Sequence, residues 1–371
     1  MSAAATETLQ LVEPMIDEAF RLVPMSEVLR RHRDRIAWEV AEGRRPSGHY
    51  NGPISVHWEF TNRCNLRCEF CYNASTSRPG QHLPDERLWA IADELAELKV
   101  LEVTLSGGEV LMEPQRLWSL GRRLQRNGIS LRLITNAWFL DNRVAAQLAA
   151  RGFDHVTVSV DAPEPSIHDR LRGLKGSWRR AIRGIGALAR AGLPCSVTCV
   201  LTRENAGSIE RLIEICDLLA VKSLTLEDLR DEGRGMESAL RLRLSDLDYE
   251  AAYTRLCDLV SRCRPQCRIV FGASTRFALD IMTQQPPFTC CVRADGTVIP
   301  VEALPVSFGN VATEPLRAAW KRLADAYSSG EMRRCVTQWQ TVTTPVLGIA
   351  RSVRNMTAMA AAVDSKEAVM V

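Results

Sequence analysis

Short apolar runs alternate with helical segments along the middle of the chain. Six β-rich runs, the first at residue 54, read ISVHWEF, EVTLSG, SLRLIT, HVTVSV, PCSVTCVL and SLTLED. Each is followed by a segment with helical character, such as residues 84–98 and 141–151. Strands that alternate with helices indicate a parallel sheet of βα units, and six units predict an α/β fold with an open, partial TIM-like barrel. The count alone also fits a doubly wound sheet.

The two ends of the chain follow other patterns. Residues 7–42 predict an amphipathic helix whose basic stretch we interpret as a solvated face. After the sixth run, a helix is predicted over residues 244–263, and FTCCVRADGTVIP predicts a hairpin turned by Asp295-Gly296. We therefore predict an N-terminal helical segment at 1–50, a core at 51–235, a small α+β extension at 236–345 and a flexible tail at 346–371.

Composition narrows the class of protein. The 371 residues are 46% hydrophobic and 25% charged, with a net charge of +3 and no polybasic block, so we expect neither a nucleic-acid nor a membrane partner. No apolar run reaches the roughly 18 residues that span a bilayer, and the N-terminus lacks a signal-peptide pattern. We expect a cytoplasmic protein, whose 12 cysteines are metal ligands and reduced thiols rather than disulfides.

Three of these cysteines lie in one loop directly after the first predicted strand. Cys64, Cys68 and Cys71 are spaced C-x3-C-x2-C in the run TNRCNLRCEFCYN. Three thiolates can hold three corners of a 4Fe-4S cluster, whose ligands are normally four cysteines, and leave one iron open to a small molecule. The alternatives are a structural zinc site or three buried thiols. Zinc normally takes four ligands in paired knuckles, and no second knuckle lies nearby, so the spacing favours the cluster.

This cysteine loop resembles that of the radical S-adenosylmethionine (SAM) superfamily. The resemblance implies a (β/α)6 barrel, with SAM chelating the fourth iron and Phe70, the aromatic residue before the third cysteine, near the adenine. It also implies that a reductase such as flavodoxin or ferredoxin supplies an electron for reductive cleavage of SAM. The 5′-deoxyadenosyl radical formed would then abstract a hydrogen atom from the substrate.

The loops after the next strands extend the resemblance. Ser106-Gly107-Gly108-Glu109 is similar to the family's GGE motif, which contacts the methionine part of SAM, although a Gly-Gly pair is ordinarily a turn. In the later loops each candidate also has a structural alternative. Asn136 could simply close its loop, Asp161 could cap the following turn, and Arg172 could form a salt bridge to Asp169. The resemblance implies these SAM contacts: Phe70, Gly107, Gly108, Glu109, Asn136, Ser159, Asp161, Arg172 and Asn205.

The C-terminal third resembles the SPASM or twitch extension of many radical SAM maturases. A cysteine, then DGTVIP, then GNV and a helix with Trp320 follow in the family's order. The chain departs from the pattern at Val301, where a cysteine is expected, and it lacks the later multi-cysteine knuckle. We therefore favour a degenerate extension without metal. If an auxiliary iron-sulfur cluster is bound, its candidate ligands are Cys267, Cys290, Cys291 and Cys335.

The substrate is the least determined part of the prediction. The SPASM-like extension favours a maturase that crosslinks, epimerises or oxidises a ribosomally made precursor peptide. The alternative is a dehydrogenase, epimerase or dehydratase of a sugar or aminoglycoside-type small molecule. A non-enzymatic iron-sulfur scaffold would not need the SAM-facing loops. No acid or base is identified. The candidates to donate hydrogen to a substrate radical are Tyr72, Cys290 and Cys291, whereas contact with substrate or surface ion pairs are the alternatives for Glu227, Asp228 and Arg230.

Overall fold

The structure is a computed structural model that describes residues 52–78, 82–263, 265–271, 287–302 and 304–336. The predicted helix at 7–42 and the predicted tail at 346–371 lie outside these residues. No helix within the described ranges is long and apolar enough to cross a membrane.

All six predicted strands form. They are β1 (Ser55–Thr61), β2 (Glu102–Gly107), β3 (Ser130–Thr135), β4 (His155–Ser159), β5 (Cys195–Val200) and β6 (Ser223–Glu227). Helices α1 (Asp85–Glu97), α2 (Pro114–Arg126), α3 (Asn142–Ala150), α4 (Pro165–Arg172), α5 (Ser177–Arg190) and α6 (Ile209–Leu218) connect them, and α7 (Gly233–Leu242) and α8 (Asp246–Cys263) follow β6.

The six strands are parallel neighbours in sequence order, which confirms the predicted α/β class. A seventh strand that we did not predict, β7 (Arg268–Phe271), pairs in parallel with β6. At the other side, β8 (Thr289–Val292) pairs in parallel with β1 and forms the predicted hairpin with β9 (Thr297–Ile299).

Strand β10 (Gly309–Asn310) completes one ten-stranded sheet, and helix α9 (Leu316–Ser328) follows it. The strand order is β10-β9-β8-β1-β2-β3-β4-β5-β6-β7, and among the described residues the two end strands do not pair, so the sheet is open. Strands from both sides of residue 235 therefore share one sheet. The division at that residue stays our proposal.

One face of the sheet is apolar and packs under the helices. Trp58 and Phe60 of β1 are almost fully buried, in the same core as Leu88 of α1 and Leu117 of α2. Burying a side chain of this size stabilises the fold by roughly 1.5–3 kcal/mol. This face therefore fixes the register of the strands and, with it, the positions of the loops at their carboxyl ends.

The opposite face of the sheet is polar. Parallel sheets are usually apolar on both faces, but here polar side chains are aligned from strand to strand. His155 Nε2 is 2.8 Å from Ser196 Oγ, which is 2.7 Å from Ser223 Oγ on the next strand. This polar face consists of His57, Glu59, Thr104, Ser106, Arg132, His155, Thr157, Ser159, Ser196, Thr198, Ser223, Thr225 and Glu227.

Candidate active site

The cysteine loop follows β1 at the carboxyl edge of the sheet, and helix α4 holds it in place. The Arg67 N–H donates to the carbonyl of Arg172 at 3.2 Å, and the Glu69 N–H donates to that of Leu171 at 2.9 Å. The Cys64 N–H donates to Thr76 O at 2.7 Å. The positions of the cysteines are thus set by the backbone of the fourth βα unit and by the loop itself.

Cys64 and Cys68 are each 7% exposed, and Cys71 is half-buried. The Leu66 N–H approaches Cys64 Sγ at 3.4 Å, and Arg172 Nη1 lies 3.8 Å from Cys68 Sγ. Burial raises the pKa of Cys64 to about 12 and also raises that of Cys68, although the nearby Arg172 opposes the second shift. Burial therefore favours the neutral thiols of Cys64 and Cys68, and a positively charged group such as iron would favour their thiolates.

The cysteine loop and the residues just before it contain buried polar atoms without hydrogen-bond partners among the described residues. Among the described residues, Asn62 Oδ1, Arg63 Nε and Asn65 Nδ2 are buried without hydrogen bonds. Native structures rarely leave such atoms unpaired, so they fit a polar ligand beside the cysteines. No three His, Cys, Asp or Glu side chains in the described ranges are grouped around a single metal ion. The soft thiolate donor set of this loop suits an iron-sulfur cluster.

The glycines of the second loop bring it against the cysteine loop. At Gly107, where φ is +133°, a Cβ would overlap the Thr61 carbonyl oxygen, and at Gly108 it would overlap the Arg63 carbonyl oxygen. The Gly108 N–H donates to Thr61 O at 2.7 Å, and the Glu109 N–H donates to Arg63 O at 2.8 Å. Both glycines therefore have a structural function at this contact, besides any contact with SAM, which stays a prediction.

Glu109 joins the second loop to the third. Its carboxylate is 1% exposed and accepts from the Leu111 N–H, Thr135 Oγ1 and the Asn136 N–H at 3.0, 2.7 and 2.7 Å. Burial raises the pKa of Glu109, while these donors oppose the shift. Asn136 Nδ2 in turn lies 3.8 Å from Cys64 Sγ. Both predicted residues are thus brought to the cysteine loop.

Asp161 and Arg172 form a buried ion pair next to the cysteines. Arg172 Nη2 donates to Asp161 Oδ1 at 3.0 Å, and its Nε donates to Oδ2. The Arg172 Cζ lies 5.1 Å from the centroid of the Phe70 ring. Phe70, Asp161 and Arg172, three of the predicted SAM contacts, therefore meet at Cys68.

The alternative interpretations of this pair are wrong. Asp169 does not pair with Arg172, because it accepts from the Gly176 and Trp178 N–H groups at 2.6 and 2.8 Å, at the beginning of α5. Asp161 does not cap the following turn; its carboxylate accepts from the Val200 N–H at 3.1 Å and from Arg172.

The remaining predicted contacts are Ser159 and Asn205. Ser159 is 8% exposed at the carboxyl end of β4. Asn205 is fully buried, and its amide donates to the carbonyls of Asp161 and Val200 at 2.6 and 2.8 Å and accepts from the Thr202 N–H at 2.7 Å. Asn205 thus positions the Asp161 loop, and its role toward SAM stays a prediction.

The candidate auxiliary ligands lie at separate places. Cys267 precedes β7, and its N–H donates to Asp217 Oδ1 of α6 at 2.6 Å, whereas Cys290 and Cys291 lie on β8, which pairs with β1 at the other side of the six-stranded core. Cys335 lies in the helical residues 331–336. Within the described residues, these four cysteines do not form a metal-binding group.

A second polar group lies on the polar face around β1, and of its members sequence reasoning had named only Tyr72. His57 forms an ion pair with Glu302 and a hydrogen bond with Ser106, and Tyr72 donates to Glu59 at 2.8 Å. Burial alone would lower the pKa of His57, but Glu302 raises it above its ordinary value; His57 in turn lowers the pKa of Glu302 despite its burial. Two ionisable residues at i and i+2 of a predicted strand were the available signal.

Comparison with known proteins identifies this constellation. The family model of the Radical SAM superfamily matches residues 58–216, which contain the cysteine loop and the loops around it. The chain therefore contains a radical SAM domain over these residues. As the resemblance implied, it is an enzyme that uses a 4Fe-4S cluster and SAM.

Two curated relatives align with most of the chain. The AdoMet-dependent heme synthase of Methanosarcina barkeri is 28% identical over 290 residues, which are 73% of this chain and 83% of the synthase. The PqqA peptide cyclase of Ruegeria pomeroyi is 29% identical over 292 residues, which are 75% of this chain and 76% of the cyclase.

A solved structure supports the fold. SuiB of Streptococcus suis bound to S-adenosylmethionine is 15% identical and superposes with a TM-score of 0.62, covering 84% of this chain and 75% of SuiB. The same protein has also been solved bound to its precursor peptide SuiA. At this identity the likeness shows the architecture alone.

Proposed function

We propose that this radical SAM enzyme modifies a ribosomally synthesised peptide by a crosslink, an epimerisation or an oxidation. The observation that carries the proposal is the similarity to the PqqA peptide cyclase over three-quarters of both chains. The polar face of the sheet supports it, because its side chains offer hydrogen bonds to an amide-rich substrate and lead to the cysteine loop.

We infer the following roles for the residues of the site. Cys64, Cys68 and Cys71 hold the cluster, which together with SAM supplies a carbon radical that abstracts hydrogen. Asp161 holds Arg172 in a fixed orientation toward Cys68. Glu109, Asn136 and Asn205 fix the loops that would surround SAM, as hydrogen bonds to their backbone and side chains show. Rigid support of this kind keeps the reacting groups oriented.

The finer assignments belong to the same proposal. We infer that residues 51–235 are the catalytic core and that 236–345 form a SPASM-like extension. The electron donor would be a reductase such as flavodoxin or ferredoxin, and the enzyme would act in the cytoplasm without nucleic-acid or membrane partners. An auxiliary cluster is not part of the proposal, because Cys267 lies before β7, whereas Cys290 and Cys291 lie on β8 at the other side of the six-stranded core.

A small-molecule substrate is the second candidate. It is favoured by the similarity to the AdoMet-dependent heme synthase, whose name describes a tetrapyrrole rather than a peptide, over 73% of this chain. The two candidates differ in what must enter the polar interior of the barrel. A peptide brings a chain of amide groups, whereas a compact small molecule brings its own functional groups without a polypeptide backbone.

The test has two steps. Iron and sulfide are first measured after anaerobic reconstitution in wild type, in the triple variant Cys64→Ala/Cys68→Ala/Cys71→Ala, and in Cys290→Ala as a buried-thiol control. We expect about four irons in wild type and the control and about none in the triple variant.

The second step concerns the substrate. Reduced wild type is incubated with SAM and with a short peptide encoded beside the gene, and 5′-deoxyadenosine and the peptide mass are followed. A mass change that depends on SAM and on the three cysteines supports the proposal. Formation of 5′-deoxyadenosine that is stimulated by a tetrapyrrole or a sugar, but by no such peptide, would favour the second candidate.

A further inference from the structure

Two buried polar atoms lie without partners beside the same tyrosine. Glu59 is 0% exposed; its Oε1 accepts from the Tyr72 hydroxyl at 2.8 Å, but its Oε2 is among the described polar atoms that have no hydrogen bond. Arg230 Nη1 is equally buried and unpaired within the described residues, and its Cζ lies 4.6 Å from the Tyr72 ring centroid. A buried acceptor and a buried donor therefore flank one aromatic ring.

The fold brings these residues together next to the cysteine loop. Glu59 extends from the polar face of β1, Tyr72 directly follows Cys71, and Arg230 lies in the segment after β6. The absence of a side chain at Gly233 lets this segment pack closely against the cysteine loop, because a Cβ there would overlap the carbonyl oxygens of Cys71 and Tyr72. The two unpaired atoms thus lie where a substrate would meet the reactive end of the site.

The surrounding charges restrict the kind of ligand. Glu302, Glu227 and Glu232 lie near Arg230, but Glu302 is paired with His57 and Glu232 with Arg293. Glu59 and Glu227 then remain beside Arg230, and these two carboxylates disfavour an anionic ligand. Arg230 itself disfavours a cation. A neutral group that carries an N–H donor next to a C=O acceptor satisfies both atoms without adding charge.

We propose that Glu59, Tyr72 and Arg230 form a subsite that binds one peptide group of the substrate. The substrate N–H would donate to Glu59 Oε2, and the substrate C=O would accept from Arg230 Nη1 while the amide plane lies against the Tyr72 ring. This subsite rests on the proposed peptide function and assigns to it the residues that orient the peptide chain.

The experiment uses the reconstituted full-length enzyme and two small probes. N-methylacetamide carries one peptide group, and methyl acetate has nearly the same shape but lacks the N–H. Their dissociation constants are measured by ligand-observed NMR. We expect wild type to prefer the amide by about tenfold, the order expected for a hydrogen bond to a charged group.

The variants Glu59→Gln and Arg230→Lys should each weaken binding of the amide probe by about tenfold. Glu59→Gln should in addition reduce the preference for the amide over the ester. Glu94→Gln is the control, because Glu94 is likewise a carboxylate held by a side-chain donor, Arg87 at 2.7 Å, but lies on α1 away from the polar face. Iron content is measured for every variant, so that a misfolded protein is recognised, and the two site variants then provide independent tests.

Equal affinity of wild type for amide and ester would overturn the subsite, as would tighter binding of acetate or methylguanidinium than of the amide. An equal loss of binding in Glu94→Gln would also count against it. A wild type that holds iron and cleaves SAM but shows none of these preferences would refute the subsite alone. A wild type that neither holds iron nor cleaves SAM would refute the proposed function.

Discussion

Replacing Arg172 by glutamine should destabilise the protein strongly. Arg172 is 8% exposed, and its partner Asp161 is fully buried, so the change leaves a carboxylate in the interior to which, among the described residues, the Val200 N–H is the donor that remains. The two hydrogen bonds between the side chains are lost, together with the contact between the guanidinium and Phe70. Breaking a buried pair by removing one partner typically costs about 3–5 kcal/mol, and we expect a loss of that size in the free energy of unfolding.

Urea unfolding followed by circular dichroism, on iron-free protein prepared identically for each variant, measures the loss. Arg172→Lys should be intermediate, because lysine keeps the charge but not the two-pronged geometry. The control is Arg243→Gln, which breaks the more exposed pair with Asp231 and should cost below about 1 kcal/mol. A loss in Arg172→Gln no larger than in this control would refute the argument that the pair supports the cysteine loop.

Three further predictions concern single residues. Gly108→Ala should lower the iron content, because its Cβ would push the cysteine loop away, whereas Gly207→Ala, with open space around it, should not. Burial lowers the pKa of His155 to about 3 and that of His168 to about 4. Between about pH 6 and pH 4 the unfolded chain binds these protons and the folded chain does not, so stability should fall by about 1.4 kcal/mol per histidine for each pH unit that the pH is lowered, and urea unfolding of His155→Gln should show the smaller slope. Glu302→Gln should lower the pKa of His57 in an NMR titration, since Glu302 raises it; an unchanged value would contradict the ion pair.

The sequence predicted the strands of the core because each carries its own local signal. Alternating side chains mark the runs from β1 to β6, and the helices between them have their own apolar faces. Strand β7 (Arg268–Phe271) was missed because it has only four residues and pairs with β6 across two intervening helices. Such a pairing leaves no pattern within the strand itself.

The side-chain partners of the site depend on tertiary contacts in the same way. Helical spacing makes Asp169 a reasonable partner for Arg172, three residues away. The N–H groups at the start of α5 compete for that carboxylate and occupy it. Arg172 then pairs with Asp161, which follows the carboxyl end of β4 and lies within hydrogen-bonding distance of the guanidinium. Only the positions of the strand ends decide between the two aspartates.

The position of β8 changes how the C-terminal extension is understood. The sequence predicted a small α+β extension after the core, but β8 hydrogen-bonds to β1 throughout Thr289–Val292 and occupies the edge that β1 would otherwise expose. The chain that follows places Glu302 against His57, on the strand that also carries Glu59. The extension therefore supplies backbone partners and a charged side chain to the site itself. The extension contributes to the site through strand pairing and through the Glu302 carboxylate, and neither contribution depends on a metal. A loss of the family's cysteines from the extension therefore leaves both contributions in place.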